Sequence, residues 1–98
     1  MTPEGTVLRD IQAYLAMRGI YFWRNGVGRR GGVSFGKVGS ADILGILPGG
    51  RFLAIEVKAP GGKASLEQLE FLANIAKHGG MAFIADSVEI VEKHLQNI

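Results

Sequence analysis

The chain has 98 residues, enough for one domain with a single core and too few for two. Hydrophobic residues make up 47% and cysteine is absent, which points to a globular fold and excludes a disulfide or thiolate–metal framework. The apolar runs are short and the N-terminus opens acidic, so neither a signal peptide nor a membrane span is expected, and the default is a soluble intracellular protein.

In chain order, the first element reads as a helix that Thr2 caps, Pro3 opens and Gly19 ends, with Leu8, Ile11 and Leu15 as its buried stripe. Residues 20–24 (IYFWR) are rich in β-branched and aromatic types and predict a strand. Tyr21 and Trp23 could stack on bases, but as strand residues they are more often core. Residues 25–39 hold six glycines, Gly26, Gly28, Gly31, Gly32, Gly36 and Gly39, around a short strand at Val33–Phe35, the pattern of a mobile loop or a ragged hairpin. The net charge is only +2, yet no acid lies between Asp10 and Asp42, where Arg18, Arg24, Arg29, Arg30 and Lys37 all fall. That stretch reads either as a surface for polyanions or as a solvated loop whose cations serve solubility.

Two apolar runs follow, residues 41–47 and 51–58, joined by Pro48-Gly49-Gly50 as in a hairpin. Ala59–Lys63 is a loop. Ser65 and Gln68 form a capping-box pattern that opens a helix, and Gly79-Gly80 closes it. Residues 81–85 (MAFIA) predict a buried strand, and Ser87 caps a last helix striped by Val88, Val91, Leu95 and Ile98. The order αβ(β)ββαβα describes one α/β domain over residues 1–98, with a strand–helix–strand crossover expected to be right-handed and parallel. No internal repeat, linker or low-complexity segment interrupts it.

The hairpin carries the chemistry. With Pro48-Gly49-Gly50 as its loop, Leu47 pairs with Arg51 and, continuing the ladder, Asp42 faces Glu56 with Cβ atoms roughly 5 Å apart. Two opposed carboxylates repel unless a cation sits between them, and hard oxygen ligands on rigid strands suit Mg²⁺. Glu56 and Lys58 project from one face of their strand, about 7 Å apart along it, while Leu53, Ile55 and Val57 take the other. An ammonium at Lys58 can then orient an attacking water and offset transition-state charge on a phosphate. The plainer alternative for Glu56-Val57-Lys58 is an ion pair on a solvated strand face. Glu4 lies in line with Leu8, Ile11 and Leu15, so it either seeks a partner or sits exposed at the helix start, where the dipole favours it. Gln68 falls on the face of Leu69, Leu72 and Ile75, although the capping box with Ser65 already accounts for it.

The ordered set Glu4, Gly39-Ser40-Ala41-Asp42, Glu56-Val57-Lys58 and Gln68 resembles the PD-(D/E)xK nuclease superfamily, and more narrowly its VRR-Nuc (virus-type replication-repair nuclease) branch. The similarity extends over nearly the whole chain, from Trp23-Arg24 before the glycine-rich stretch to Gly62-Lys63 before the second helix; Ala41 stands where the family motif usually has Pro. The resemblance implies a restriction-endonuclease-like αβββαβ core with a mixed sheet flanked by helices, plus a C-terminal helix. It implies Mg²⁺ or Mn²⁺ held by Asp42, Glu56 and the Val57 carbonyl, with Glu4 assisting and Lys58 and Gln68 lining the site. The substrate it implies is DNA, branched or at a junction, contacted by Arg24, Arg29, Arg30, Lys37, Ser40 and Lys63. By analogy with stand-alone members the chain would be a homodimer, cytoplasmic in a bacterial or phage-infected cell and engaged in DNA repair.

Other signals fall away. Gly26-Val27-Gly28-Arg29-Arg30-Gly31 matches a dinucleotide fingerprint, but β-prone residues and more glycines follow where a helix is required, so no nucleotide cofactor is expected. Gly61-Gly62-Lys63 lacks the Ser/Thr and upstream Gly of a phosphate loop, His78 complements a helix C-terminus, and His94 sits on a polar helix face. Two functions compete with a nuclease. A silent DNA-binding module has no use for opposed carboxylates, and a small structural protein leaves the position of Glu4 unexplained.

Overall fold

The computed structural model describes residues 1–26, 28–30 and 33–98, and for the strands Gly28–Arg30 and Val33–Phe35 the description is of the backbone. The elements are α1 (Pro3–Met17), β1 (Tyr21–Arg24), β2 (Gly28–Arg30), β3 (Val33–Phe35), β4 (Ile43–Ile46), β5 (Phe52–Val57), α2 (Leu66–Lys77), β6 (Met81–Ala85) and α3 (Val88–Leu95). Each helix starts where a cap residue allows it. The Thr2 hydroxyl accepts the Gly5 N–H at 3.0 Å, and Ser65 and Gln68 form the reciprocal capping box at the head of α2. Ser87 holds the N-cap position of α3 in extended backbone without a side-chain hydrogen bond. Gly19, at φ +70°, supplies the left-handed conformation that turns the chain out of α1.

β1, β4, β5 and β6 form one mixed sheet in that order, antiparallel except for the parallel β5–β6 pair, and β2 and β3 form a separate antiparallel hairpin. Within the glycine-rich stretch the described residues Gly28–Arg30 and Val33–Phe35 pair as in the ragged hairpin, and the parallel pairing across α2 is as expected. This is the α/β architecture of a restriction-endonuclease-like core. In β4–β5, Ile43 pairs with Ile55 and Ile46 with Phe52, and the Leu47 N–H donates to the Arg51 carbonyl at 2.8 Å, the register expected from the turn.

Helices pack on both faces of the sheet. Leu53, Ile55 and Val57 pack with Val7, Ile11 and Leu15 of α1 and with Val91 and Leu95 of α3. On the other face Ala54, Leu44 and Phe52 meet Phe71, Leu72 and Ile75 of α2. β5 is buried along nearly its whole length because strands flank it on both edges and helices on both faces. Burial of this kind contributes roughly 1.5–3 kcal/mol per large apolar side chain.

Several expected core positions differ. The α1 stripe is Val7, Ile11 and Leu15, at four-residue spacing, and Leu8 flanks it half-buried. Leu69 and Ile98 are exposed, because α2 turns Phe71, Leu72 and Ile75 toward the sheet and α3 ends at Leu95. Tyr21 and Trp23 are exposed rather than core, since β1 is an edge strand and α2 has no contact with it. His94 is exposed but stacks on Phe83 with ring planes 4° apart. Arg18 is withdrawn from any anion-binding surface: its guanidinium donates to the Tyr14 hydroxyl and to the Leu95 and Ile98 carbonyls, tying α1 to the C-terminus.

Candidate active site

Asp42 occupies the bend that leads into β4, one residue before the first ladder pair, so the hairpin register places it opposite Glu56. Its backbone and side chain are both fixed. The Asp42 carbonyl accepts the Asn25 N–H at 2.8 Å, and its Oδ2 accepts the Val57 N–H at 2.9 Å. The Asn25 amide donates to the Ala41 carbonyl at 2.9 Å and to the Ser40 hydroxyl at 2.6 Å, and that hydroxyl donates to the Lys37 carbonyl at 2.6 Å. Gly39 stands at φ +83°, and a Cβ there would lie 2.7 Å from the Glu67 Cβ, so the turn before Asp42 can lie this close to α2 only as glycine.

Glu56 lies on the α2 face of β5 and is 2% exposed. The Lys58 Nζ stands 3.1 Å from its Oε2, whereas its Oε1 has no hydrogen-bond partner. Burial raises the Glu56 carboxyl from 4.5 to about 7, the Asp42 charge adds to that rise, and Lys58 pulls it back down. A Glu–Lys pair on a solvated face would show none of this, so that alternative is overturned: α2 covers the face that the strand pattern alone leaves open to water. Two carboxylates against one ammonium leave the pocket short of positive charge. Oxygen donors of this kind, one of them orphaned, fit a hard divalent cation.

The raised pKa has a consequence for stability. Between pH 4.5 and about 7 folded Glu56 retains a proton that the unfolded chain has released, so its contribution is full below 4.5 and is lost as pH rises through 7. In chelator, the melting temperature of the wild type should fall between pH 5 and pH 8 relative to Glu56→Gln, in which this proton is permanent. Parallel melting curves for the two proteins would contradict that assignment.

The other candidates are placed as follows. Lys58 is mostly buried, and its N–H donates to the Ala85 carbonyl at 3.0 Å, extending the β5–β6 pairing. Gln68 is half-buried, and its Oε1 accepts the Ser65 N–H at 2.9 Å in the capping box. Val57 is buried beside Glu56. Glu4 is exposed in the first turn of α1, whose stripe packs on the face opposite Glu56. Among the described residues no three His, Cys, Asp or Glu side chains come together, so Glu4 does not complete a carboxylate triad with Asp42 and Glu56. Solvent and the helix dipole suffice for it there. Ser40, expected on the DNA, is buried with its hydroxyl committed in both directions and instead fixes the turn before Asp42. Arg24, Lys37 and Lys63 are exposed, while the side chains of Arg29 and Arg30 lie outside the described residues. Asn25 was not found by sequence reasoning, because Asn25-Gly26 reads as an ordinary turn and nothing local marks its bonds to residues 40–42.

No helix among the described residues is long and apolar enough to cross a membrane. Neither a curated protein nor a solved structure gives a match to the chain. The VRR-NUC domain family does match, over residues 32–89. That span runs from β3 into α3 and holds Asp42, Glu56, Lys58 and Gln68, while Glu4, Arg24, Arg29 and Arg30 precede it. With more than half its length in the match and the opposed carboxylates at its centre, the chain belongs to the VRR-NUC domain family, a nuclease-type family.

Proposed function

We propose that this protein is a metal-dependent endonuclease that hydrolyses phosphodiester bonds in DNA, selective for branched or junction structures, at Asp42, Glu56 and Lys58. The observation that carries the reading is Glu56: a carboxylate 2% exposed, with Oε1 unpartnered and Asp42 opposite it. Asp42, Glu56 and the Val57 carbonyl would hold Mg²⁺ or Mn²⁺, which when bound supplies Lewis-acid polarisation of the phosphate and a more acidic water. The chain's own residues do the rest. The Val57 N–H fixes the Asp42 carboxylate through Oδ2. Lys58 favours the ionised form of Glu56, and its ammonium can orient a water and offset charge as the phosphate becomes five-coordinate. Gln68 lines the site from the head of α2, and Glu4 stays outside this set.

Arg24, Arg29, Arg30, Lys37 and Lys63 would contact phosphates, which position the duplex without reading sequence. A homodimer would bring two such centres to two strands, the arrangement that cutting a junction needs. The test is cleavage of a synthetic four-way junction and a flapped duplex, beside supercoiled plasmid, with Mg²⁺, with Mn²⁺ and with chelator. Cleavage of the branched substrates is expected with either metal and none with chelator, and a protein that leaves all of these substrates uncut under all three conditions would sink the reading in favour of a silent DNA-binding module.

A further inference from the structure

β1 pairs Tyr21 with Ile46 and Trp23 with Leu44, and Leu44 pairs onward with Ala54 of β5. Directly paired residues of antiparallel strands share a face, so Tyr21 and Trp23 stand on the same side of the sheet as Asp42 and Glu56. Leu44 follows Asp42 by two residues, roughly 7 Å along the extended chain that leads from the bend into β4. The intervening residue of β1, Phe22, packs into the core on the opposite face. Among the described residues α2 packs on β5 and β6 and meets β4 through Leu44, but it has no contact with β1, so the β1 end of the carboxylate face lies beyond that helix. Tyr21 is 71% exposed and Trp23 40%, with ring centroids 5.8 Å apart and planes tilted by 57°, so the two rings are not stacked on one another.

From this juxtaposition we propose that Tyr21 and Trp23 form a stacking platform for unpaired bases of the DNA strand held at Asp42 and Glu56, each ring taking a different base because their planes are tilted, an inference that rests on the nuclease reading above. Rings that lie flat against a base bind without regard to its identity, and each such contact changes affinity by roughly 5- to 150-fold. A base inside a duplex is already stacked on its neighbours and cannot use the platform. The preferred substrate is therefore a strand unpaired next to the scissile phosphate, as at a branch point, a flap or an overhang. A second copy of the chain is the poorer occupant. The two rings expose on the order of 250 Å² together, well short of the roughly 800 Å² per partner that a stable interface buries. The position beside the carboxylate pair also puts the platform where a nuclease substrate must come.

Trp23 is the single tryptophan of the chain, so its emission reports on this surface alone. The experiment titrates metal-free protein with a single-stranded oligothymidylate, with an abasic strand of the same length and with a duplex of the same length, following both Trp emission and the anisotropy of labelled DNA. The oligothymidylate should quench the emission saturably, and the abasic strand and the duplex should not. Trp23→Leu should weaken binding of the oligothymidylate by roughly 10-fold while Trp23→Phe retains most of it, which separates lost stacking from lost folding. Binding of the oligothymidylate without quenching, or equal affinity for the abasic strand, would overturn the platform and leave the nuclease reading intact. So would emission that shifts with protein concentration in the absence of DNA, together with a dimer that Trp23→Leu dissociates, because the rings would then face a second copy. The nuclease reading fails separately, if wild-type protein that binds and quenches normally leaves every strand uncut with Mg²⁺ or Mn²⁺.

Discussion

Asp42→Ala should lose metal-dependent cleavage, by on the order of 10³-fold or more, while the fold survives. Asp42 is half-buried and lies in a bend rather than in the core of a strand, so truncating it opens no large cavity. It does remove the acceptor of the Val57 N–H, which is why Asp42→Asn is the sharper variant. The amide oxygen can still accept that hydrogen bond, and only the charge is gone. Asp42→Asn should be as inactive as Asp42→Ala, with a far-ultraviolet circular dichroism spectrum like that of the wild type. It should also move Glu56, whose pKa of about 7 is held up in part by the Asp42 charge. Loss of that charge should bring the Glu56 titration down, visible by carbon-detected NMR of its side-chain carboxyl. Full activity in either variant would remove Asp42 from the site. An unmoved Glu56 titration would show that the Asp42 charge has no part in raising its pKa.

The hairpin register was legible because its determinants are local. Pro48-Gly49-Gly50 fixes the loop, and the alternation of Leu53, Ile55 and Val57 fixes which residues of β5 face α1 and α3. Once those are set, Asp42 has nowhere to be but opposite Glu56. The capping box of α2 was legible for the same reason. What could not be read was set by contacts distant in sequence. Period-2 alternation assigns Glu56 to the face opposite Leu53 and Val57 but is silent on whether a helix covers that face. α2 does, and its cover turns an ordinary Glu–Lys pair into a buried carboxylate with a raised pKa. The same helix stops short of β1, and that leaves Tyr21 and Trp23 in solvent although their residue types suit a core. Ser40 is the converse case. The resemblance places it on the DNA, but Asn25, just past β1, donates to its hydroxyl, which in turn donates to the Lys37 carbonyl. Val7 and Leu8 are both apolar, so helical spacing alone could not decide which one enters the core.

Lys58→Ala should separate catalysis from metal binding, and the pH at which each is measured decides what is seen. Lys58 is not a metal ligand, but its Nζ lies 3.1 Å from Glu56 Oε2 and favours the ionised form of that carboxyl. Without the ammonium, Glu56 should titrate above its present value of about 7. At a pH well above that, Glu56 is ionised in both proteins, and Mn²⁺ affinity should be nearly unchanged. At pH 7 and below, protons compete harder for Glu56 in the variant, and affinity should fall further than in the wild type. Binding of DNA should weaken only slightly, by one electrostatic contact among several. Turnover should fall by on the order of 10²-fold or more even at high pH and saturating metal, because the charge that steadies the transition state is missing there regardless of occupancy. Arg should not restore it fully, since a planar guanidinium cannot take the place of a compact ammonium in a space only partly open to solvent. Isothermal titration of Mn²⁺ at two pH values, beside single-turnover cleavage by the same preparations, reads all of these. Near-normal cleavage at high pH would confine Lys58 to tuning Glu56, and the transition-state charge would then have to be met by another cation.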